Sequence, residues 1–268
     1  MGWRGMMVKS VFCLGMGLWL VNEAAAQITL TNTPTADAFV RSLDPSYNYG
    51  SAGALEVSGS IATNPTSGLQ EGSLDSFLQF NVATDISAFN SAFGVGQWTI
   101  SGVTLAVTAS SANNADFNYG AGAFEVRWIG DNAWQEGTGT PNSPGMNGIT
   151  YAQEPGILNS DVDESLGTFN YNGATSGQIR PTLGSPAGFI SEISTGSLVS
   201  LYMTATPGST IGFTFNSRNF TSSSAWPMLD ITAVAIPEPS TLGLFGLSWV
   251  FLALAGRCRR NRANDATR

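Results

Sequence analysis

Residues 101–108, Ser-Gly-Val-Thr-Leu-Ala-Val-Thr, alternate between large apolar side chains and smaller or polar ones. Val103, Leu105 and Val107 fall on one side of an extended chain, and the residues between them fall on the other. This period of two is typical of a β-strand that has one face against a core and the other toward solvent. The stretch therefore predicts a half-buried strand.

The same alternation recurs along most of the chain. Phe124, Val126 and Trp128 share one face of a second such run. Further runs with this spacing are Leu78/Phe80/Val82, Val199/Leu201/Met203, Ile211/Phe213/Phe215 and Leu229/Ile231/Ala233. Dense Gly, Asn, Ser and Pro separate the runs, as in residues 137–148, and such composition interrupts helices. Short strands spaced in this way predict an all-β fold, a two-sheet β-sandwich or jelly roll.

We expect one domain over residues 27–235, with almost no helix. Trp98 and Trp128 sit within strand patterns and are predicted to lie in the core. Seven further apolar residues of the alternating runs are predicted to be buried: Leu105, Val107, Phe124, Val126, Phe213, Phe215 and Leu229.

The two ends of the chain differ from this domain. Residues 1–26 have the layout of a signal peptide, with Arg4 and Lys9 before a short apolar run at 11–21. Alanines at 24–26 suit a signal peptidase, so the mature chain is predicted to begin near Gln27.

At the other end, residues 240–256 carry no charge and are long enough to cross a bilayer as a single transmembrane helix. A basic cluster follows at once: Arg257, Arg259, Arg260 and Arg262. Basic residues beside a span stay on the cytoplasmic side, which predicts that the domain lies outside the cytoplasm.

A short motif, Pro237-Glu238-Pro239, comes directly before this span. Motif, span and arginine cluster occur in an order that resembles the PEP-CTERM sorting signal, here over residues 236–262. The resemblance implies that an exosortase, a membrane transpeptidase, recognises the protein. The protein would first be a precursor anchored in the inner membrane and would then be released to the cell surface. A plain membrane anchor with an incidental Pro-Glu-Pro is the alternative interpretation.

Charge and composition exclude several kinds of chemistry. Residues 27–236 hold four basic and sixteen acidic residues, a formal charge of −12, which disfavours nucleic acid as a partner. The chain has no histidine, and its two cysteines, Cys13 and Cys258, lie in the two terminal segments. The domain therefore has no disulfide, no Ser-His-Asp triad and no ordinary zinc site. Carboxylates, amides, hydroxyls and aromatic rings remain, and these groups bind sugars and calcium.

Several short stretches occur in order along residues 35–235 and together resemble the DNRLRE family, also described as carbohydrate-binding module family 96. They are residues 37–41, 48–51, 77–82, 134–137, 148–151, 217–218 and 227–232. The resemblance implies a carbohydrate-binding β domain. Gln79 stands where that family has an arginine, and Tyr151 stands where it has a second tryptophan.

Two groups of residues are candidates for ligand sites. Trp134 and Tyr151 lie in or beside loops near Asp131 and Glu136, and aromatic faces with neighbouring carboxylates suit a glycan. For each aromatic, a packing role is the alternative.

A second group consists of Asp161, Asp163 and Glu164, whose oxygen ligands resemble the start of a calcium loop. A solvated acidic turn is the alternative there. Asp37 and Asp230 form another candidate cation pair, since they are predicted to lie on the first and last strands.

From these observations we expect a non-enzymatic surface or extracellular-matrix protein, acting in the cell envelope or exopolysaccharide and binding glycans. The alternative is a polysaccharide-cleaving glycosidase or lyase that uses carboxylates or tyrosine, because glycoside hydrolysis needs only two carboxyl groups at a set separation.

Overall fold

The structure is a computed structural model that describes residues 26–64, 67–110 and 120–237. The predicted signal peptide apart from Ala26 lies outside the described residues, as do Glu238, Pro239, the predicted transmembrane helix and the basic tail. Within the described ranges, none of the helices is both long and apolar enough to cross a membrane.

Antiparallel strands dominate the described part of the chain. In chain order they are β1 (Gln27–Asn32), β2 (Pro34–Arg41), β3 (Ala54–Ser58), β4 (Leu74–Asn81), β5 (Trp98–Thr108), β6 (Gly122–Ile129), β7 (Glu164–Tyr171), β8 (Gln178–Ile179), β9 (Leu198–Ala205), β10 (Gly212–Asn216) and β11 (Met228–Ala235). One sheet has four strands in the order β1-β11-β5-β8. The other has seven, with β10-β3-β4-β9-β6-β7 in a row and β2 paired with β4. The prediction of an all-β fold with two sheets is confirmed.

Strand register explains why the alternating residues are buried. β5 and β11 pair so that Leu105 lies opposite Leu229 and Val103 lies opposite Ile231. These side chains share one core with side chains of the seven-stranded sheet, including Val126. All seven residues predicted to be buried are fully buried in that core, and Trp128 is buried while Trp98 packs against it half-buried. The interior between the sheets is therefore built by the period-two faces.

Helices contribute more than the sequence predicted. α1 (Ala83–Phe93) and α3 (Ala187–Thr195) contact one another, and each buries an apolar face in the core between the sheets. In α1 this face comes from Phe89, with Ile86 and Phe93 one turn before and after it. Each helix spans only two or three turns, too few for its period to stand out from the surrounding loops. The expectation of almost no helix was therefore wrong at these two segments.

A second, smaller apolar cluster lies on the other face of the seven-stranded sheet. Phe77 of β4, Ile129 of β6 and Tyr202 of β9 pack there with Trp134 and Ile149. The segment that supplies the last two, residues 130–163, crosses this face and includes the short helix α2 (Glu154–Ile157). We call residues 130–163 the covering segment, and it holds most of the candidate site residues.

Candidate functional site

Trp134 lies inside the second apolar cluster. Its side chain is only 6% exposed, and its ring packs against Phe77 with 5.6 Å between the ring centroids. Its Nε1–H donates a hydrogen bond to Ser200 Oγ at 3.0 Å. The indole is thus packed into the fold, and a role for Trp134 in glycan binding stays a prediction.

The other three residues that were predicted to bind a glycan lie apart from one another in the structure. Tyr151 is half-buried at the edge of the same cluster. Asp131 Oδ1 accepts a hydrogen bond from Ala133 N–H at 2.7 Å. Glu136 forms an ion pair with Arg218 at 3.1 Å, away from Asp131 and close to the backbone of β2. The four residues do not converge on one ligand position.

Asp131 and Trp134 nevertheless border the same surface depression, which we call the loop groove. It has two adjoining parts of about 430 and 650 Å³ that share Ala133, Gly156 and Ile157. Polar side chains along it are Asp131, Asn132, Gln135, Gln153, Asn159 and Asp163. Amides both donate and accept hydrogen bonds, so this lining suits a hydroxyl-rich chain lying along the surface.

The predicted calcium ligands are used by the fold instead. Asp163 accepts hydrogen bonds from Asn159 N–H at 2.7 Å and Gly130 N–H at 3.1 Å. Glu164 accepts hydrogen bonds from the N–H groups of Gly188 and Phe189, in the first turn of α3. Asp161 is exposed. In the described part of the chain, no group of three or more acidic, histidine or cysteine side chains is placed to hold a metal ion.

Asp163 and Glu164 bind different backbone segments, since Asp163 lies in the loop before β7 and Glu164 is the first residue of that strand. The structure therefore does not bring Asp161, Asp163 and Glu164 together, and calcium binding by these residues stays a prediction.

Asp37 and Asp230 also lie apart. The first and last strands, β1 and β11, are neighbours as expected, but Asp37 belongs to β2 in the other sheet. Asp230 pairs with Arg180 and accepts a hydrogen bond from Thr31 Oγ1 at 2.6 Å. Asp37 Oδ2 accepts one from Arg218 N–H at 2.7 Å. The predicted Asp37–Asp230 pair was wrong because the chain changes sheets between β1 and β2.

Sequence reasoning missed a pair of acids where the covering segment meets the sheet, the buried Asp75 and the half-buried Glu154. Asp75 of β4 is 3% exposed, and Tyr202 Oη–H donates to Glu154 Oε1 at 2.8 Å. Burial, together with the neighbouring Glu154 carboxyl, raises the pKa of Asp75 to about 7. Hydrogen bonds from Thr204 and Tyr202 lower this pKa but do not cancel the rise. Burial also raises the pKa of Glu154, although the Tyr202 hydrogen bond opposes it.

The two carboxyl groups of this set hold a proton more readily than ordinary acids. Among the described residues, Asp75 Oδ1 and Glu154 Oε2 have no hydrogen-bond partner. Their positions in sequence, almost eighty residues apart, carry no signal that could have paired them. Only strand alternation, which places Asp75 on the same face as Phe77, hinted that an acid would lie under the covering segment.

Fold and groove together define a β-sandwich domain with a polar surface groove. The sequence model of the PEP-CTERM protein-sorting motif matches residues 235–260, beginning at the last residue of β11. The protein therefore carries a PEP-CTERM motif, which implies that it is exported, anchored in the membrane, processed by an exosortase and brought to the cell surface. No match was found among curated proteins. The match lies outside residues 27–234, so the likeness of the β domain to the DNRLRE family stays a prediction.

Proposed function

We propose that the protein is a non-enzymatic component of the cell surface or extracellular matrix that binds a neutral polysaccharide along the loop groove. The observation that carries the proposal is the groove itself, which is open to solvent and lined by amides and by the carboxylates of Asp131 and Asp163. The resemblance of residues 35–235 to the DNRLRE family supports the same class of ligand.

Charge favours an uncharged glycan over an acidic one. Residues 27–236 carry a formal charge of −12, so an anionic chain approaches against a repulsive field. Sugar hydroxyls instead exchange hydrogen bonds with amide and carboxylate groups, and sugar C–H surface packs on apolar side chains such as Ile157.

Gly156 provides a sharp test because it borders both parts of the loop groove. A Cβ at this position meets no atom within 4 Å, so Gly156→Leu adds bulk to the groove without a clash. We expect the full chain to be retarded by neutral polysaccharide in affinity electrophoresis, and Gly156→Leu to weaken that retardation at least fivefold.

The matched control is Gly102→Leu on β5, another glycine with open space at its Cβ position, which should bind as the parent does. Equal retardation of the parent and Gly156→Leu, or retardation by acidic polysaccharide alone, would contradict the groove as the binding site.

The second candidate function is polysaccharide cleavage, and the neighbouring acids Asp75 and Glu154 are the observation that favours it. A carboxyl group whose pKa is about 7 can act as a general acid at neutral pH. However, a glycosidase must bring both carboxyl groups to the scissile bond, whereas Asp75 is buried beneath the covering segment and Glu154 of that segment is hydrogen-bonded to Tyr202. Release of new reducing or unsaturated ends from the same polysaccharides would favour the enzyme over the binding protein.

A further inference from the structure

A cavity of about 590 Å³ lies between strands β3 and β10 and the loop at residues 140–142, and it shares no residue with the loop groove. Phe39, Leu55 and Phe220 form apolar walls, while Glu56, Thr140 and Asn142 are polar. A second cavity of about 140 Å³ adjoins it through Phe39, Glu56 and Pro141 and is also bordered by Tyr47 and Tyr49. The larger volume falls in the range of small-molecule sites, roughly 300–1,000 Å³.

Glu56 is the acid that borders both cavities. Its backbone groups are already hydrogen-bonded, since its N–H donates to Ser76 Oγ and its carbonyl accepts from the same hydroxyl. The residue is only 2% exposed, and among the described residues its Oε1 has no hydrogen-bond partner. A buried carboxyl oxygen without a donor is costly and therefore indicates an unmet interaction.

A second acceptor without a donor lies nearby along β10. Thr214 is directly opposite Glu56 in the strand register, and Asn216 follows two residues later on the same strand face. Asn216 Oδ1 is buried and likewise has no hydrogen-bond partner within the described ranges. This side of the sheet therefore offers hydrogen-bond acceptors, and a ligand with hydrogen-bond donors would satisfy them.

The charged groups around Glu56 do not neutralise its carboxylate. Arg41 and Glu71 are the charged residues that act on Glu56 electrostatically. The Arg41 guanidinium is already paired with Glu71 and with Asp44. With Glu56 ionised, one cation therefore faces three carboxylates, and the local charge is negative.

We propose that this cavity binds a small organic ammonium ion, such as the protonated amine of an amino sugar, with the amine at Glu56. An ammonium group supplies three donors and a positive charge to a buried carboxylate. Aromatic walls such as Phe39 and Phe220 attract a cation through their ring faces. The acidic domain also raises the local concentration of cations.

The binding is coupled to one proton. Burial raises the pKa of Glu56 well above its ordinary value, with Glu71 acting in the same direction and Arg41 against it. In the unliganded protein the Glu56 carboxyl therefore holds its proton more readily than an ordinary glutamate, whereas an ammonium ligand favours its ionised form. Affinity consequently rises with pH as long as the ligand amine stays protonated.

Isothermal titration calorimetry of the full chain at pH 6.5 tests the site with three ligands that differ at one ring position. Glucosamine carries an ammonium there, glucose a hydroxyl and N-acetylglucosamine a neutral amide. We expect glucosamine to bind at least tenfold more tightly than the other two. Titrations in buffers with different ionisation enthalpies should show that protons are released when the ligand binds.

Two variants locate the site independently. Glu56→Gln keeps the shape of the neutral acid and should lower glucosamine affinity at least tenfold, while Glu125→Gln on β6, outside both cavities, should not. Gly53 lines the cavity and has open space at its Cβ position, so Gly53→Leu should block binding while Glu56 stays intact. Gly102→Leu is again the matched control.

Equal affinity for glucosamine and glucose, unchanged binding by Glu56→Gln, or binding without proton release would each overturn the proposal. These variants leave the loop groove untouched, and Gly156→Leu leaves the cavity untouched. Failure of the ammonium site is therefore distinguishable from failure of the polysaccharide site.

Discussion

At the scale of single residues, the indole of Trp134 joins the covering segment to the sheet beneath it. Its ring contacts Phe77, and its N–H shares Ser200 Oγ with the Gln79 amide. Ser200 in turn donates to Asn132 Oδ1 at 2.7 Å. One aromatic residue thus anchors both an apolar cluster and a polar network.

Substitution of Trp134 separates these two contributions. We expect Trp134→Ala to lower the free energy of unfolding by about 3–5 kcal/mol, because it leaves a large cavity in a buried cluster. Trp134→Phe keeps most of the apolar contact and loses the hydrogen bond to Ser200, so its cost should be about 1–2 kcal/mol. Urea denaturation followed by circular dichroism measures both values.

Tyr47→Ala is the matched control for that experiment, since Tyr47 is an aromatic side chain that is 41% exposed. It should change the free energy of unfolding by no more than about 0.5 kcal/mol. A loss below about 1 kcal/mol for Trp134→Ala would show that the indole is not a packing residue and would restore it as a candidate sugar platform.

At the scale of elements, helix α3 depends on a distant strand for its N-terminal cap. Pro186 precedes the helix, and no side chain in its own first turn caps it. Glu164, at the start of β7, accepts hydrogen bonds from Gly188 N–H at 3.1 Å and Phe189 N–H at 2.8 Å. A carboxylate at this end of a helix also interacts favourably with the helix dipole.

Removal of this cap should loosen the helix. We expect Glu164→Ala to lower the free energy of unfolding by about 1–2 kcal/mol, and hydrogen exchange to accelerate first in residues 187–195. Glu125→Ala on the neighbouring strand β6 is the control, because its carboxylate makes only a long ion pair with Arg127 at 3.7 Å. Equal exchange rates in the parent and Glu164→Ala would argue that the cap is irrelevant to the helix.

At the scale of the whole molecule, buried carboxyl groups set the pH dependence of stability. Burial raises the pKa of Asp37 to about 8, aided by Glu136 and opposed by hydrogen bonding and charge from Arg218. The pKa of Asp75 is about 7, and that of Glu56 is also raised by burial. The folded protein therefore keeps protons that the unfolded chain has already released above about pH 4–5.

The sign of the effect follows from this difference in bound protons. A raised acid pKa stabilises the fold at low pH, and that contribution is lost as pH rises from the unfolded pKa to the folded one. We expect the melting temperature to be higher at pH 5 than at pH 8, measured by differential scanning calorimetry in low salt. Asp75→Asn should flatten the curve below about pH 7, whereas Asp161→Asn, an exposed position, should not. A melting temperature that rises from pH 5 to pH 8 would contradict the assignment.

Residues with a local pattern were the ones that could be predicted. Period-two alternation placed Leu105, Val126 and Phe213 in the core, because each strand of a two-sheet sandwich points every second side chain toward the interior between the sheets. The candidate glycan and calcium residues were chosen instead by closeness in sequence. Closeness in sequence does not place side chains together, and Asp163 and Glu164 accept hydrogen bonds from different backbone segments.

By itself, the sequence determined the all-β class, the buried faces of its strands and the PEP-CTERM motif that implies export, since each of these is written in consecutive residues. The tertiary structure alone decided that Trp134 is buried, that Asp75 and Glu154 share one environment, and that Glu56 borders a cavity. These features join residues that are far apart in the chain. Their physical basis is the antiparallel register and the path of the covering segment, which depend on the whole chain packing at once.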